Sequence, residues 1–186
     1  MNKKEIRSHI KALKTAVSMN EIRDYSKKIK ECLLMDKSYL NCTHLFCYVS
    51  FNQEVLTAEI INSGIANSKK VAVPKIVDNE MKFYYIESFA DLQPGILGIP
   101  EPVSGIEAIP DKKNNNLVIV PGLAFDWNKN RVGYGKGYYD QFFEKYKSVP
   151  MKTIALAYDF QVFEQIPQDE YDKKVDQIIT NTKVII

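Results

Sequence analysis

The sequence predicts an α/β protein, a three-layer α/β/α sandwich around a mostly parallel sheet. Short apolar runs alternate along the chain with stretches of helical periodicity, as they do in βαβ units. The first apolar run, residues 44–49, is apolar throughout, which is typical of a strand buried on both faces of a sheet. The 186 residues contain no internal repeat and no linker, so we expect one domain over residues 1–186.

Helical periodicity predicts two helices at the N-terminus and two farther along the chain. The first has an apolar stripe formed by Ile6, Ile10, Leu13 and Val17. The second starts after Ser18, since Ser18 and Glu21 fit a capping box, and it ends before Lys37. The third follows Thr57, a candidate N-cap. The fourth begins after residue 137 and carries Phe142, Phe143 and Tyr146.

Strands are predicted at residues 44–49, 71–76, 81–86, 117–120 and 153–158, with short terminal strands at 175–180 and 184–186. Pro74 limits the second of these strands to an edge or to its own end, since proline cannot donate to a sheet ladder. Residues 96–110, with three prolines and two glycines, are predicted to be a loop. Ligands of such sheets bind beyond the carboxyl ends of the strands, which favours the loops 50–54, 121–137 and 159–161.

Composition excludes several classes of protein. With 45% hydrophobic and 26% charged residues the chain is typical of soluble globular proteins, and no apolar run approaches the ~20 residues that span a bilayer. The N-terminus has no apolar signal-peptide core, so we expect a cytoplasmic protein. The first 30 residues hold nine Lys/Arg against three Asp/Glu, although the whole chain is only +2. This confined excess favours a local anion site over nucleic-acid binding.

Residues 120–143, VPGLAFDWNKNRVGYGKGYYDQFF, concentrate the chemistry-bearing residues. Three glycines leave backbone N–H groups open to a ligand: Gly133, Gly135 and Gly137. Arg131 and Lys136 add positive charge, and Asp140 follows in the first turn of the predicted helix. A glycine-rich loop that leads into a helix N-terminus is a typical anion site. These residues predict phosphate binding, with Asp140 placed to hold a cation.

This glycine loop matches neither of the two commonest nucleotide motifs. It lacks the Ser/Thr that follows the Walker A lysine, and its G-x-G-x-G spacing differs from the dinucleotide fingerprint. On the first helix, four basic residues share a face next to the apolar stripe: Lys3, Arg7, Lys11 and Lys14. Periodicity alone favours a solvated face there; the alternative is that Lys3 and Arg7 reach a phosphate.

The chain resembles the 5-formyltetrahydrofolate cyclo-ligase family, whose members are also called methenyltetrahydrofolate synthetases. The resemblance is strongest in P-G-x-A-F-D, an arginine and G-x-G-x-G-Y-Y-D, all within residues 120–143. Lys3 and Arg7 match an N-terminal K-x-x-x-R, and Glu54 and Thr57 match a further loop. Shorter matches follow at residues 98–102, 157–161 and 175–180, so the resemblance covers nearly the whole chain.

Three positions depart from the family pattern. Lys129 stands where the family usually has a turn glycine, which puts the shape of that turn in question. Tyr171 and Asp172 replace a His-Asp pair, and we assign no chemistry to them. Val132 replaces a leucine.

The resemblance implies conversion of ATP and 5-formyltetrahydrofolate to 5,10-methenyltetrahydrofolate, ADP and phosphate, with Mg²⁺. It implies catalytic roles for Arg131 and Lys136 and metal ligation by Asp140 and Asp176. The implied ATP-binding residues are Lys3, Lys4, Arg7, Arg131, Val132, Gly133, Tyr134, Gly135, Lys136, Gly137, Tyr138 and Tyr139. The implied folate-binding residues are Val49, Phe51, Glu54, Tyr134, Gly135, Lys136, Gly137 and Tyr138, with Tyr139 beside them in the wall of the slot. Trp127 fits either that wall or simple packing in the turn.

Two other classes of function stay open at this point. One is a different enzyme of similar fold, such as a sugar-phosphate isomerase, which would use the glycine loop without hydrolysing ATP. The other is a non-catalytic folate-binding or nucleotide-binding protein. In every case we expect small-molecule ligands, a monomer or weak homodimer, and neither a nucleic-acid nor a membrane partner.

Overall fold

The computed structural model describes residues 1–95 and 98–186. Its α-helices are Lys3–Ala16 (α1), Met19–Met35 (α2), Lys37–Asn41 (α3), Ala58–Ala66 (α4) and Tyr138–Lys145 (α5). Its strands are His44–Cys47 (β1), Lys70–Val77 (β2), Glu80–Tyr85 (β3), Leu92–Pro94 (β4), Pro100–Pro102 (β5), Asn116–Val120 (β6), Ala124–Asp126 (β7), Arg131–Val132 (β8), Met151–Leu156 (β9), Val162–Phe163 (β10), Gln177–Ile179 (β11) and Val184–Ile185 (β12). Short 3₁₀ turns precede β4 and β10.

The main sheet has seven strands within the described residues, in the order β12-β11-β9-β6-β1-β2-β3. The five inner strands run parallel, while β12 and β3 pair antiparallel at the two edges. The predicted mostly parallel sheet is therefore confirmed. The buried strands β6 and β1 lie at its centre because their side chains are apolar on both faces.

Helices cover both faces of this sheet, which confirms the three-layer sandwich. Strand β1 shows why: Leu45 and Cys47 pack with Ile29 of α2, whereas Phe46 points to the opposite face. There the Phe46 ring lies 6.3 Å from that of Phe142 in α5. Successive side chains of a strand alternate between faces, so a strand that is apolar throughout binds two helical layers at once.

A second, smaller sheet, β10-β7-β8, carries the glycine-containing stretch. Helix α1 packs on this sheet, because Ile6 and Ile10 share a buried cluster with Ala124 and Val132. The apolar stripe predicted for the first helix thus places Arg7 beside the glycines. Across residues 1–95 and 98–186 no helix is long and apolar enough to cross a membrane.

Two local predictions at chain turns met different outcomes. Ser18 and Glu21 form the predicted capping box. Thr57 occupies the predicted N-cap position of α4, although its side chain makes no capping hydrogen bond. Its hydroxyl instead donates to the carbonyl oxygen of Tyr48 and accepts from the N–H of Ser50.

The proline-containing segments also differ from expectation in part. Pro74 lies in a strand that has neighbours on both sides, yet β1 pairs with β2 only as far as Ala72, so the missing N–H faces no ladder. The predicted loop 96–110 contains β5, which pairs with β4. Its first two residues, Ile96 and Leu97, lie outside the described residues.

Candidate active site

A tight turn between β7 and β8 leads the chain into the glycine loop. The carboxylate of fully buried Asp126 accepts hydrogen bonds from the backbone N–H groups of Asn128 and Asn130. Lys129 adopts the left-handed conformation, at φ 63°, and its carbonyl accepts from the N–H of Val175. Glycine reaches that conformation freely, whereas another residue has a cost of about 1–2 kcal/mol. Lys129 therefore adopts the left-handed conformation expected of a glycine at this position, at the cost of local strain.

The glycine loop itself is open to solvent and ends at a helix start. Gly135 and Gly137 take the left-handed conformations at φ 102° and 70°, which other residues rarely adopt. Gly137 is the N-cap of α5 and has no side chain that could cap the helix. The first backbone N–H groups of α5 therefore receive no hydrogen bond from an N-cap side chain. Lys136 lies exposed at the tip. The arrangement is the one that binds anions at helix N-termini.

Arg7 of α1 lies along this loop. Its Nε donates to the carbonyl oxygen of Gly133 at 2.9 Å, and a side chain built at Gly135 would meet its guanidinium at 3.6 Å. The residues are far apart in the chain, and the packing of α1 on the small sheet brings them together. The structure therefore places a permanent positive charge beside the loop, with the guanidinium nitrogens other than Nε left to contact a ligand.

Lys3 lies one turn earlier and is bound to two carboxylates that were not predicted as site residues. Its ammonium donates to Asp169, at 2.7 Å, and to Asp172. Burial acts to lower the pKa of Lys3, but the hydrogen bonds to Asp169 and Asp172 outweigh it and raise that pKa. Asp172, to which no chemistry was assigned, thus ties the segment before β11 to α1. Lys4 is exposed.

Arg131 and Asp140 form an ion pair beneath the glycine loop. Arg131 Nη2 donates to Asp140 Oδ1 at 2.8 Å, and the same oxygen accepts from the N–H of Lys173 at 3.1 Å. The Arg131 side chain is only 5% exposed, and its guanidinium lies 5.8 Å from the ring centre of Tyr139. Asp140 Oδ2 makes no hydrogen bond within the described part of the chain, so one oxygen stays available to a cation.

Asp176 lies among other partners. Its Oδ2 accepts from the N–H and the hydroxyl of Thr153, at 2.8 and 2.9 Å, and its Oδ1 lies 3.8 Å from the Lys152 ammonium. Neither partner is a predicted site residue. Lys173, whose N–H donates to Asp140, lies three residues before Asp176 in the chain. No group of three or more His, Cys, Asp or Glu side chains in residues 1–95 and 98–186 could hold a metal ion alone.

A buried carboxylate faces the loop from the other side. Glu54 is 9% exposed; its Oε1 accepts from the Tyr134 hydroxyl at 2.5 Å and its Oε2 from the N–H of Phe51 at 2.9 Å. Tyr134 belongs to the glycine loop, so this bond joins the predicted ATP and folate residues directly. Val49 is buried beside them and Phe51 is half-buried.

Burial raises the pKa of Glu54, although the hydrogen bonds from Tyr134 and Phe51 and the charge of Lys14 act against the shift. The titratable groups that face it come from several elements: Lys14 of α1, Tyr48 after β1, Tyr134 of the loop, Tyr139 of α5 and Tyr158 after β9. Burial raises the pKa of each of these tyrosines as well, so all four are neutral donors near pH 7.

The remaining predicted residues divide between packing and surface. Val132 is fully buried in the cluster under α1, so only its backbone can meet a ligand. Tyr139 packs on Phe83 and its hydroxyl is buried without a partner in the described structure. The Tyr138 hydroxyl is 3.4 Å from Asn79. Trp127 is 53% exposed, with the Lys183 ammonium over its ring.

One residue of this region was placed wrongly from the sequence. Lys14 was grouped with Lys11 on the basic face, yet it is 7% exposed while Lys11 is exposed. A usable signal was present, since Lys14 continues the spacing of four residues set by the buried Ile6 and Ile10. It lines a narrow cavity together with Glu54, whose other walls are Tyr48, Val55, Pro121, Gly122, Leu156 and Gln161.

Comparisons with known proteins identify the family of this chain. A sequence profile of the 5-formyltetrahydrofolate cyclo-ligase family matches residues 1–181. The 5-formyltetrahydrofolate cyclo-ligase of Mus musculus is 30% identical over 187 residues, which cover 95% of this chain and 92% of the mouse protein. A probable 5-formyltetrahydrofolate cyclo-ligase of Schizosaccharomyces pombe is 33% identical over 158 residues, 77% of this chain and 78% of the yeast protein.

Solved structures give the same result. The 5,10-methenyltetrahydrofolate synthetase of Aquifex aeolicus superposes with a TM-score of 0.86 at 33% identity, over 99% of this chain and 92% of that one. The synthetase of Mycoplasma pneumoniae, at 22% identity, shares the fold with a TM-score of 0.76 over 97% of this chain and 99% of that one. The chain therefore belongs to the 5-formyltetrahydrofolate cyclo-ligase family and is an enzyme of that type.

Proposed function

We propose that this single domain binds ATP and 5-formyltetrahydrofolate and closes the folate ring to 5,10-methenyltetrahydrofolate, releasing ADP and phosphate. The observation that carries the proposal is the hydrogen bond between Tyr134 and Glu54. It joins a glycine loop suited to phosphates to a buried carboxylate suited to the N–H groups of a pterin. Two ligands bound at these places would lie side by side, as a transfer between them requires.

The chemistry explains why the reaction needs ATP. The formyl oxygen on N5 is a poor leaving group in an amide. When it attacks the γ-phosphorus, an O–P bond forms, ADP leaves, and the formyl carbon becomes an iminium phosphate. N10 then attacks this carbon and loses its proton. Phosphate departs with the C–O bond, which leaves the 5,10-methenyl bridge. No nucleophilic side chain takes part, so the protein's task is to position the ligands and neutralise charge.

The loop and α1 supply that neutralisation in our proposal. The N–H groups of Gly133, Gly135 and Gly137 bind phosphate oxygens, while Arg131 and Lys136 balance the charge that develops on the transferred group. Lys3, Lys4 and Arg7 approach the same phosphates from α1; Arg7 already contacts the loop. Backbone atoms of Val132 and the stretch from Tyr134 to Tyr139 complete the nucleotide side.

The acidic residues fit a Mg²⁺ site only if phosphate and water supply part of the coordination. Mg²⁺ commonly binds one or two carboxylates and takes its other ligands from phosphate and water, which agrees with the lack of a three-carboxylate cluster in the described residues. We assign Asp140 as the first ligand, through its uncommitted Oδ2, and Asp176 as the second. When bound, the ion would neutralise phosphate charge. Arg131 holds the Asp140 carboxylate in place for this purpose.

The folate side is formed by Glu54, Val49 and Phe51 together with residues of the loop. Glu54 accepts hydrogen bonds from pterin N–H groups, and buried Val49 and half-buried Phe51 supply apolar contact for the ring. Tyr134 and Tyr138, with the backbone at Gly135, Lys136 and Gly137, separate this slot from the nucleotide.

A coupled assay tests the proposal. We expect the absorbance of methenyl-folate to grow on addition of 5-formyltetrahydrofolate only when ATP and Mg²⁺ are present, with one ADP and one phosphate per product. Absence of the signal at ample enzyme would overturn the assignment. Ligand binding without turnover would indicate a binding protein, and turnover without ATP would indicate an isomerase-like enzyme.

A further inference from the structure

Lys14 is a charged residue in a place where charge is rare. It is 7% exposed at the C-terminal end of α1, and its ammonium has neither a hydrogen bond nor an ion-pair partner within residues 1–95 and 98–186. Lysine is almost never buried this far without a partner, because the loss of hydration is not compensated. Burial accordingly lowers the pKa of Lys14, against the attraction of Glu54. Three donors of its ammonium await an acceptor.

The other polar groups around this cavity are already committed. Tyr48 donates its hydroxyl to the carbonyl of Val55. The Gln161 amide donates to the carbonyls of Gly122 and Leu123 and accepts from the N–H of Tyr158. The free hydrogen-bonding capacity of the cavity wall is therefore concentrated in Lys14 and Glu54.

Glu54 keeps half of its capacity. A carboxylate accepts about four hydrogen bonds, two at each oxygen. One at Oε1 is taken by Tyr134 and one at Oε2 by Phe51, so each oxygen retains one free position. Lys14 and Glu54 line the same cavity but do not approach within the 4.0 Å of an ion pair. Both residues therefore have free hydrogen-bonding positions on one narrow cavity.

The edge of a pterin has the complementary pattern. Its 2-amino group and N3–H are adjacent donors, and the 4-oxo oxygen beside them is an acceptor. We propose that Lys14 is a substrate-binding residue that donates to the 4-oxo oxygen, while the two free positions of Glu54 accept from N3–H and the 2-amino group. The inference rests on the proposed function, and it identifies the side chains that would recognise the pterin of the folate substrate. It explains why an unpaired lysine is retained inside the protein.

Affinity measurements on the full-length chain test this role without need of turnover. Calorimetry compares the unmodified protein with Lys14→Met, which keeps the apolar stem, and with Lys11→Met as an exposed control on the same helix. For Lys14→Met we expect 5-formyltetrahydrofolate to bind about tenfold to a hundredfold more weakly, the range for a hydrogen bond to a charged group, with unchanged ATP affinity. Lys11→Met should bind both ligands as the unmodified protein does.

A matched pair of ligands tests this edge of the pterin. Folic acid and its 4-amino-4-deoxy analogue differ only along this edge of the ring. In the 4-amino analogue the 4-oxo acceptor becomes a donor and N3 loses its hydrogen, so the Lys14 contact is isolated by comparing the two proteins with both ligands. We expect the unmodified protein to prefer the 4-oxo ligand, and Lys14→Met to lose on the order of tenfold of that preference. Lys14→Gln, whose amide still donates, should lie between the two and guards against a packing effect.

The outcomes separate the two proposals. Unchanged folate affinity and unchanged 4-oxo preference in Lys14→Met overturn the role of Lys14, whether or not the enzyme turns over. Folate binding that depends on Lys14, with no ATP-dependent product, supports Lys14 and overturns the proposed function. A protein that binds neither folate nor its analogue overturns both.

Discussion

The two sides of the site hold their charges in opposite ways. At the glycine loop, Lys3 and Arg131 are bound to carboxylates of the chain, and Arg7 to a carbonyl, while Lys136 and the loop backbone face solvent. At the other side, Glu54 and Lys14 are buried, share one cavity and are not paired with each other. The fixed charges of the first region are thus bound within the chain or face solvent, whereas the two of the second are buried and lack an ion-pair partner within the described residues.

This difference indicates how each region would treat its ligand. A nucleotide phosphate bound at the loop would replace carboxylates, a carbonyl and water as the hydrogen-bond acceptor of these basic groups. The gain in affinity there would therefore be modest, and the fixed charges would act mainly on the transferred phosphoryl group. In the buried cavity the cost of removing water has been met in folding, and each hydrogen bond forms in a medium of low dielectric constant. We therefore expect changes at the loop to lower kcat and changes in the cavity to raise the KM for folate.

The largest effect is expected from Asp140→Asn. The amide keeps an acceptor for Arg131 and Lys173 but loses the charge that binds Mg²⁺ in our proposal. We expect kcat to fall about a hundredfold to a thousandfold, the usual scale for the loss of one electrostatic group, and the Mg²⁺ concentration for half-maximal rate to rise. Steady-state kinetics over a Mg²⁺ titration measures both.

Asp176→Asn is the companion variant at the second proposed ligand. Its carboxylate binds the N–H and hydroxyl of Thr153, so its loss should lower thermal stability in addition to weakening Mg²⁺. If Asp140→Asn turned over normally with an unchanged Mg²⁺ requirement, the loop would not be the metal side of the site.

A second variant, Glu54→Gln, acts on the buried side. The amide replaces two acceptor positions by donors, and we expect the KM for folate to rise about tenfold to a hundredfold with little change in the KM for ATP. A rise in the KM for ATP alone would contradict the division between the two regions.

The same carboxyl gives the folate affinity of the unmodified enzyme a pH dependence. Because burial raises the pKa of Glu54, the group takes up a proton as the pH falls through that raised value and loses its acceptor positions. Affinity should therefore decline toward acid earlier than for an exposed glutamate. Lys14→Met removes the nearby positive charge, raises that pKa further and should move the decline to higher pH. Glu54→Gln should abolish it, and calorimetry at several pH values would show each shift.

A smaller effect is expected from Lys136→Met. Lys136 is exposed at the tip of the glycine loop, so its loss should leave thermal stability unchanged. We expect kcat/KM for ATP to fall about tenfold, with less difference at high salt because exposed charges are screened. Lys113→Met, another exposed lysine in a loop, is the control. Equal behaviour of the two variants would show that Lys136 does not meet the nucleotide.

The sequence predicted the elements of this site better than their contacts. Local signals sufficed for the buried strand β1, for the Ser18 capping box and for the left-handed glycines, because each depends on neighbouring residues. The Tyr134–Glu54 bond joins positions 80 residues apart and the Lys3–Asp172 pair positions 169 apart. Nothing in either local pattern encodes these pairings, which follow from how α1 and the small sheet pack.

Lys14 shows the same limit more sharply. Helical spacing grouped it with Lys3, Arg7 and Lys11 on a basic face next to the apolar stripe, and periodicity favoured a solvated face there. The structure buries it, since its position one turn beyond Ile10 turns it toward the cavity beside Glu54. A charged residue on an apolar stripe is thus a feature that periodicity can mark but only the tertiary structure can interpret.

The smallest expected effect is on stability, and it opposes the effect on function. The depressed pKa of Lys14 means that the unfolded chain holds its proton more tightly than the folded one, so the buried ammonium destabilises the protein below that pKa. Lys14→Met removes this cost and keeps the stem, so we expect about 1 kcal/mol of added stability and a Tm higher by about 2–4 °C. Thermal unfolding of the ligand-free protein at pH 7 measures it, with Lys11→Met unchanged. A lower Tm would show that the attraction between Lys14 and Glu54 outweighs the desolvation of the ammonium, and the pair would then be a structural element of the cavity.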